Sequence, residues 1–165
     1  MEADLFSYNF LTPFLSCVFL LVGSGLISGS EIAFFGLSPS DKNQLKASLL
    51  NKHKVIIQLT ESPKMLLATI LIANNVINIA IIIISSLLFN HYMNFSSGIL
   101  NFMVQIVLTT FLILLFGEVI PKTYANRNPL LVSEIMAIPL LFLQRILYPV
   151  SNILVKSTNV INHNI

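Results

Sequence analysis

Tryptophan is absent from this chain, cysteine occurs once, and charge is scarce: only 10% of the 165 residues are Asp, Glu, Lys or Arg. Each shortage excludes something. A lone cysteine, Cys17, cannot make a disulfide within one chain, so a cross-linked extracellular scaffold is not available. Without Trp, any belt of amphipathic rings at a membrane surface has to come from Phe and Tyr. So little charge cannot cover the surface of a water-soluble domain of this size. With 55% hydrophobic residues and a mean hydropathy of +0.84, the composition is that of an integral membrane protein. HExxH, GxSxG and a phosphate-binding loop are also missing, so catalysis is not expected, and nothing points to nucleic acid. The opening MEAD is acidic, and no small-residue cleavage site follows the apolar run behind it, which argues against a secretory signal peptide.

A bilayer core takes about 20 apolar residues per helix, and windows at about 10–35, 65–89 and 99–120 supply them. A fourth window, about 130–155, carries Glu134, Pro139, Arg145 and Pro149, which make a straight lipid-facing helix costly. Two short helices, re-entrant or interfacial, are expected there. The connection after the first span holds Lys42, Lys46, Lys52, Lys54 and Lys64, whereas the second connection, NHYMNFSSG, holds no Lys or Arg. That asymmetry puts the first connection in the cytoplasm and the amino terminus outside. If the fourth window does not cross, the carboxyl terminus with Lys156 is cytoplasmic; a crossing would strand Lys156 outside and force Glu134 and Arg145 into lipid. Leu45, Leu49, Leu50, Ile56 and Ile57 recur among the lysines of 42–59 in an amphipathic pattern suited to anionic headgroups. The expected fold class is therefore all-α integral membrane: three transmembrane helices, a kinked re-entrant or interfacial helical hairpin, and a cytoplasmic amphipathic juxtamembrane helix. The chain closes on NVINHNI, leaving no room for a soluble domain.

Polar residues inside the spans carry the functional signal, because they are costly in lipid. In the first span Ser24, Ser28 and Glu31 share one helix face at offsets of four and three. Gly23, Gly25 and Gly29 beside them permit close approach of another backbone. The serines could equally serve as a packing seam, bonding to their own i−4 carbonyls. The second span has Asn74, Asn75 and Asn78; Asn75 and Asn78 share a face and bring two carbonyl oxygens to it, although asparagine in a span is often only interhelical glue. The third span ends FGEVIPKTYANRNP, with Glu118 after Gly117 and Pro121 three residues on. Pro121 cannot donate to the carbonyl four residues back, that of Gly117, so a free carbonyl sits beside a carboxylate. The collected ligands are all oxygen, which suits Mg²⁺, Ca²⁺ or Na⁺ rather than zinc or copper. His53, His91 and His163 are scattered through connections and tail.

Three blocks in order, SGSEIAFFGLS, NNVINIA and GEVIPKTYANRNP, resemble the transmembrane domain of the CNNM/CorC family of magnesium transport proteins over nearly the whole chain. The resemblance implies a homodimer in a bacterial inner membrane, each subunit binding one largely dehydrated Mg²⁺ in an inward-open cavity and exporting it, with Na⁺ entry as the coupled flow. It carries the metal-binding role onto Ser24, Ser28, Asn75, Asn78, Gly117 and Glu118, and assigns Glu31 to Na⁺ interaction or to the helix end. It also implies cytoplasmic CBS modules, which this sequence lacks. Two other functions fit the same residues: a Mg²⁺-sensing scaffold that moves nothing, and a structural subunit in which the polar residues only pack.

Overall fold

The computed structural model describes residues 2–92 and 98–162, all of whose regular elements are helical. Ser97, in the second connection, and His163 lie outside the described residues. Helix α1 (Glu2–Phe35) is followed by α2 (Pro39–Ala47), α3 (Asn51–Glu61) and α4 (Pro63–Tyr92). Then α5 (Gly98–Leu112), a π-helical segment (Ile113–Val119) and α6 (Ile120–Arg127) run on as one rod, before α7 (Pro129–Asn162) closes the chain. Among the described residues four helical stretches are long and apolar enough to cross a bilayer: Phe10–Phe35, Pro63–Phe89, Gly98–Arg127 and Pro129–Lys156. With so much apolar surface on their outer faces, the chain is an integral membrane protein.

Helix α1 is the hub, packed against α4, α6, the π segment and α7. The protein's own apolar core is gathered at one end. Phe34 from the end of α1, Leu37 from the turn after it, Leu45 from α2, Ile56 and Leu59 from α3, Leu66 and Ile70 from α4, and Ala137 and Leu140 from α7 are all buried there. That end is built by the juxtamembrane helices, and their boundaries are written in the sequence. Ser38 caps α2 with a reciprocal box: the Asp41 N–H donates to Ser38 Oγ at 3.1 Å, and Asp41 Oδ2 accepts from the Ser38 N–H at 2.9 Å. Pro39 fills the first helical position, where its missing N–H costs nothing.

The structure corrects two expectations. The basic stretch is two helices rather than one, because Ser48 turns to extended backbone (φ −85, ψ 142) and Leu50 enters α3 from the same region. Leu45, Ile56 and Leu59 are consequently buried in protein, while Leu49 is 90% exposed. The 130–155 window is likewise not a hairpin of short helices, since α7 continues through Pro139 and Pro149. Both prolines lie on its exposed side, where a missing hydrogen bond only bends the helix. A buried stripe of Val132, Ser133, Met136, Ala137 and Leu140 holds the opposite side continuous.

Candidate cation site between α1, α4 and the π segment

Two of the polar residues of the first span, Ser24 and Ser28, end up fully inside. Ser24 and Ser28 are buried one turn apart on α1, facing the neighbours that come closest to it. Ser24 Oγ stands 2.7 Å from Asn78 Oδ1 and 3.0 Å from Asn74 Oδ1, so its single proton serves one amide oxygen at a time. Three oxygens thereby converge from two helices. Gly117 closes the site from the third direction: a Cβ there would lie 3.0 Å from Ser24 Oγ, so any side chain would press on the hydroxyl. Ser28 Oγ is buried with no hydrogen-bond partner. An unpaired buried hydroxyl costs about 1–3 kcal/mol, a deficit that a bound cation removes.

The third rod reaches α1 through a backbone irregularity. The Ile120 N–H donates to Leu115 O, five residues back, and this π register adds a residue to the turn that carries Gly117 and Glu118. Pro121 then supplies no N–H; in five-residue register the carbonyl left without a donor is that of Phe116, in four-residue register that of Gly117. Phe116 O is set against α1, 3.0 Å from where a Cβ on Gly25 would be, and Pro121 Cγ is 2.8 Å from the same point. One turn on, a Cβ on Gly29 would lie 3.2 Å from Pro121 O. Only glycines let the proline turn seat this deeply on α1.

Asn75 is exposed, and its Nδ2 donates to Leu71 O at 2.8 Å, so within one chain it points away from Ser24 while Asn74 and Asn78 point in. Spacing alone does not choose among them: 74/78 and 75/78 are both helical neighbours. The buried run Leu66, Thr69, Ile70, Ala73 and Ile81 on α4 is the signal that favours the 74/78 face. Glu118 is half-buried directly after Gly117. Glu31 Oε2 lies 3.2 Å from Lys122 Nζ, each side chain about a third exposed, which ties the end of α1 to α6. Among the described residues no three His, Cys, Asp or Glu side chains cluster as a metal cage. What the fold brings together is hydroxyl and amide oxygen, with Gly117 against Ser24 and the Glu118 side chain one residue further along the rod; oxygen ligands of this kind suit a hard cation.

A second polar cluster was not legible in the sequence. Glu134, which looked unaffordable in lipid, is paired with Lys52 Nζ, and its Oε1 lies 3.0 Å from His53 Nε2. Both partners come from α3, so the carboxylate sits at the level of the basic juxtamembrane helices.

Residues 15–164 match the family described as the cyclin M transmembrane N-terminal domain, CNNM. Among curated proteins the chain is 33% identical over 150 residues to a UPF0053 protein of Synechocystis sp., an overlap covering 87% of this chain and 40% of that protein. It is 32% identical over 149 residues to a UPF0053 protein of Haemophilus influenzae, covering 88% of this chain and 34% of the relative. The chain thus spans less than half the length of these relatives.

Proposed function

The chain belongs to the cyclin M (CNNM) transmembrane-domain family, and from that premise we propose that it exports Mg²⁺ from the cytoplasm in exchange for entering Na⁺. The ion is held between α1, α4 and the π segment by Ser24, Ser28, the asparagine amides of α4, the Gly117 carbonyl and the Glu118 carboxylate. The observation that carries this reading is Ser28 Oγ, buried and unpartnered one turn from a hydroxyl that already faces two amide oxygens. Mg²⁺ prefers six oxygens and gives up water reluctantly, so a site that strips much of its hydration needs ligands fixed in advance by packing. The close seating of Pro121 on Gly25 and Gly29 supplies that rigidity. Glu118 contributes the charge, and Glu31, engaged with Lys122, is the helix-end tether.

The proposed setting is a bacterial inner membrane with the amino terminus outside, α2 and α3 cytoplasmic, and a homodimer as the working unit, its cytoplasmic CBS modules lying beyond this chain. Helix α7 is assigned to the cytoplasmic leaflet, lying along it rather than crossing. Its two ends favour this. Glu134 meets α3, whereas Ser151, about 25 Å further along the helix, places its Oγ 3.4 Å from Thr69 Oγ1. Thr69 is only about 9 Å from the start of α4, so both ends of α7 touch the same side of the bundle. Lys156 then remains cytoplasmic.

The test is flux in proteoliposomes of the purified chain. Mg²⁺ movement that follows an imposed Na⁺ gradient supports exchange; Mg²⁺ binding with no flux makes the protein a sensor and overturns transport.

A further inference from the structure

The polar face of α4 does not stop at the asparagines. Asn74, Asn78, Ile81 and Ser85 follow one another at offsets of four, three and four, one stripe along the helix. On the antiparallel rod the same spacing appears in reverse: Gly117, Ile113, Thr109, Gln105 and Asn101 are each four residues apart. The two stripes face each other, because Thr109 Oγ1 donates to Ser85 Oγ at 3.1 Å, and Ser85 Oγ donates to Ile82 O at 3.0 Å. Stepping one turn from that bond toward Ser24 on both helices reaches Ile81 and Ile113 at a common level, 2% and 6% exposed. Ile113 also adjoins the cation site, since a Cβ on Gly117 would lie 3.8 Å from its Cγ2. Stepping the other way reaches Gln105, buried at 6% exposure on a helix whose Val107 and Phe111 face outward.

Order along the membrane normal is therefore oxygen site, isoleucine pair, then a second set of oxygens about 10 Å further out. We infer that the α4–α5 face is the outer half of the ion path: Ile81 and Ile113 form an apolar gate, and Ser85, Thr109 and Gln105, packed together in this structure, line a neutral passage that opens for a hydrated cation. The chemistry divides the labour. The proposed inner site adds the Glu118 carboxylate to its closely set oxygens and can replace water, whereas two hydroxyls and an amide with no charge beside them are too weak to strip the water that Mg²⁺ holds tightly, and so meet its hydration shell. Weak, uncharged binding on the exit side lets the ion leave. Ile113 is also the first residue of the π segment, so the gate stands where the backbone changes register, and π segments recur at functional sites. This inference rests on the transport reading above, and its test separates the two.

Single-cysteine variants Thr109→Cys, Gln105→Cys and Asn78→Cys, with lipid-facing Val107→Cys as control, are made in a Cys17→Ala background. They are exposed in intact cells to a small membrane-impermeant cationic thiol reagent. Thr109→Cys and Gln105→Cys should react several-fold faster than Val107→Cys. Asn78→Cys should be slow, and several-fold faster when Ile81→Ala and Ile113→Ala are added. Equal rates at positions 105, 107 and 109, reaction only in inverted vesicles, or an Asn78→Cys rate indifferent to the isoleucines would overturn the path. Mg²⁺-dependent thermal stabilisation of the Thr109→Cys and Gln105→Cys proteins reports folding and the inner site. Stabilisation retained with no external labelling sinks the path alone, whereas labelling without any stabilisation by Mg²⁺ in the parent chain upholds the path and sinks the binding site.

Discussion

Each asparagine of α4 has a different fate, and the difference is measurable. Asn74 and Asn78 hand their oxygens to Ser24, while Asn75 is exposed and bonded to its own helix. In Mg²⁺ titrations of thermal stability, where a ligand selective for the folded state raises the midpoint with concentration, Asn74→Ala should weaken affinity about tenfold, or ~1.4 kcal/mol. Asn75→Ala should weaken it less; the opposite ranking would show that a partner copy brings Asn75 to the ion. Glu118→Gln keeps the size and one carbonyl oxygen but removes the charge, and in a low-dielectric site that loss dominates, so the response to Mg²⁺ should nearly vanish. Glu31→Gln should leave the response near that of the parent, because its carboxylate is already engaged with Lys122.

Among the elements, the seat of the proline turn and the cap of α2 make separate predictions. A methyl at Gly25 meets Pro121 Cγ at 2.8 Å and Phe116 O at 3.0 Å, whereas one at Gly23 meets only Ile77 Cδ1 at an ordinary 3.8 Å. Gly25→Ala should cost about 1–3 kcal/mol, the range for overpacking, and Gly23→Ala little, compared by unfolding in mixed micelles. Ser38→Ala removes a reciprocal cap and should cost about 0.5–2 kcal/mol at neutral pH. The hydrogen bonds from Ser38 hold the Asp41 carboxyl below its ordinary range. A carboxylate depressed in the folded state adds stability above its unfolded pKa of about 3.9, and that stability is lost as pH falls through the lower folded value. The gap between parent and Ser38→Ala should therefore narrow in melts carried well below pH 4, and a gap unchanged there would assign the cap to the serine hydroxyl alone.

For the whole molecule, one labelling experiment tests the proposed course of α7 along the cytoplasmic leaflet. Cysteines at Lys46 and Lys156 should both be shielded from an impermeant thiol reagent in intact cells and both react in inverted vesicles. Labelling of Lys156→Cys from outside would make α7 a fourth crossing and move the carboxyl terminus across the membrane. The pairing of Glu134 with Lys52 and His53 and the contact of Ser151 with Thr69 both favour the first outcome. They let a helix with two prolines and three charged side chains, Glu134, Arg145 and Lys156, lie where water or headgroups can reach it.

How much of this was legible beforehand differs by feature, and the reasons are physical. Membrane residence, the three long spans, the lysine asymmetry and the polar positions of α1 follow from composition and period, because lipid tolerates only continuous apolar helices and makes every polar exception conspicuous. The cap at Ser38 is legible for the same local reason: a box of four residues closes on itself. Features that depend on a neighbour were not. Spacing did not tell Asn74 from Asn75, because both fit one helical period with Asn78, and only the face of α4 that packing buries against Ser24 separates them. The π register at Ile113–Val119 is stabilised by seating Pro121 on Gly25 and Gly29, which are distant in sequence. Glu134 looked prohibitive until Lys52 and His53 arrived from another helix, and two prolines that signal a break were absorbed because a buried stripe on the far side of α7 held it whole. The sequence set which residues must avoid lipid; tertiary packing chose what each of them faces, because pairing energy belongs to partners that no local pattern can name.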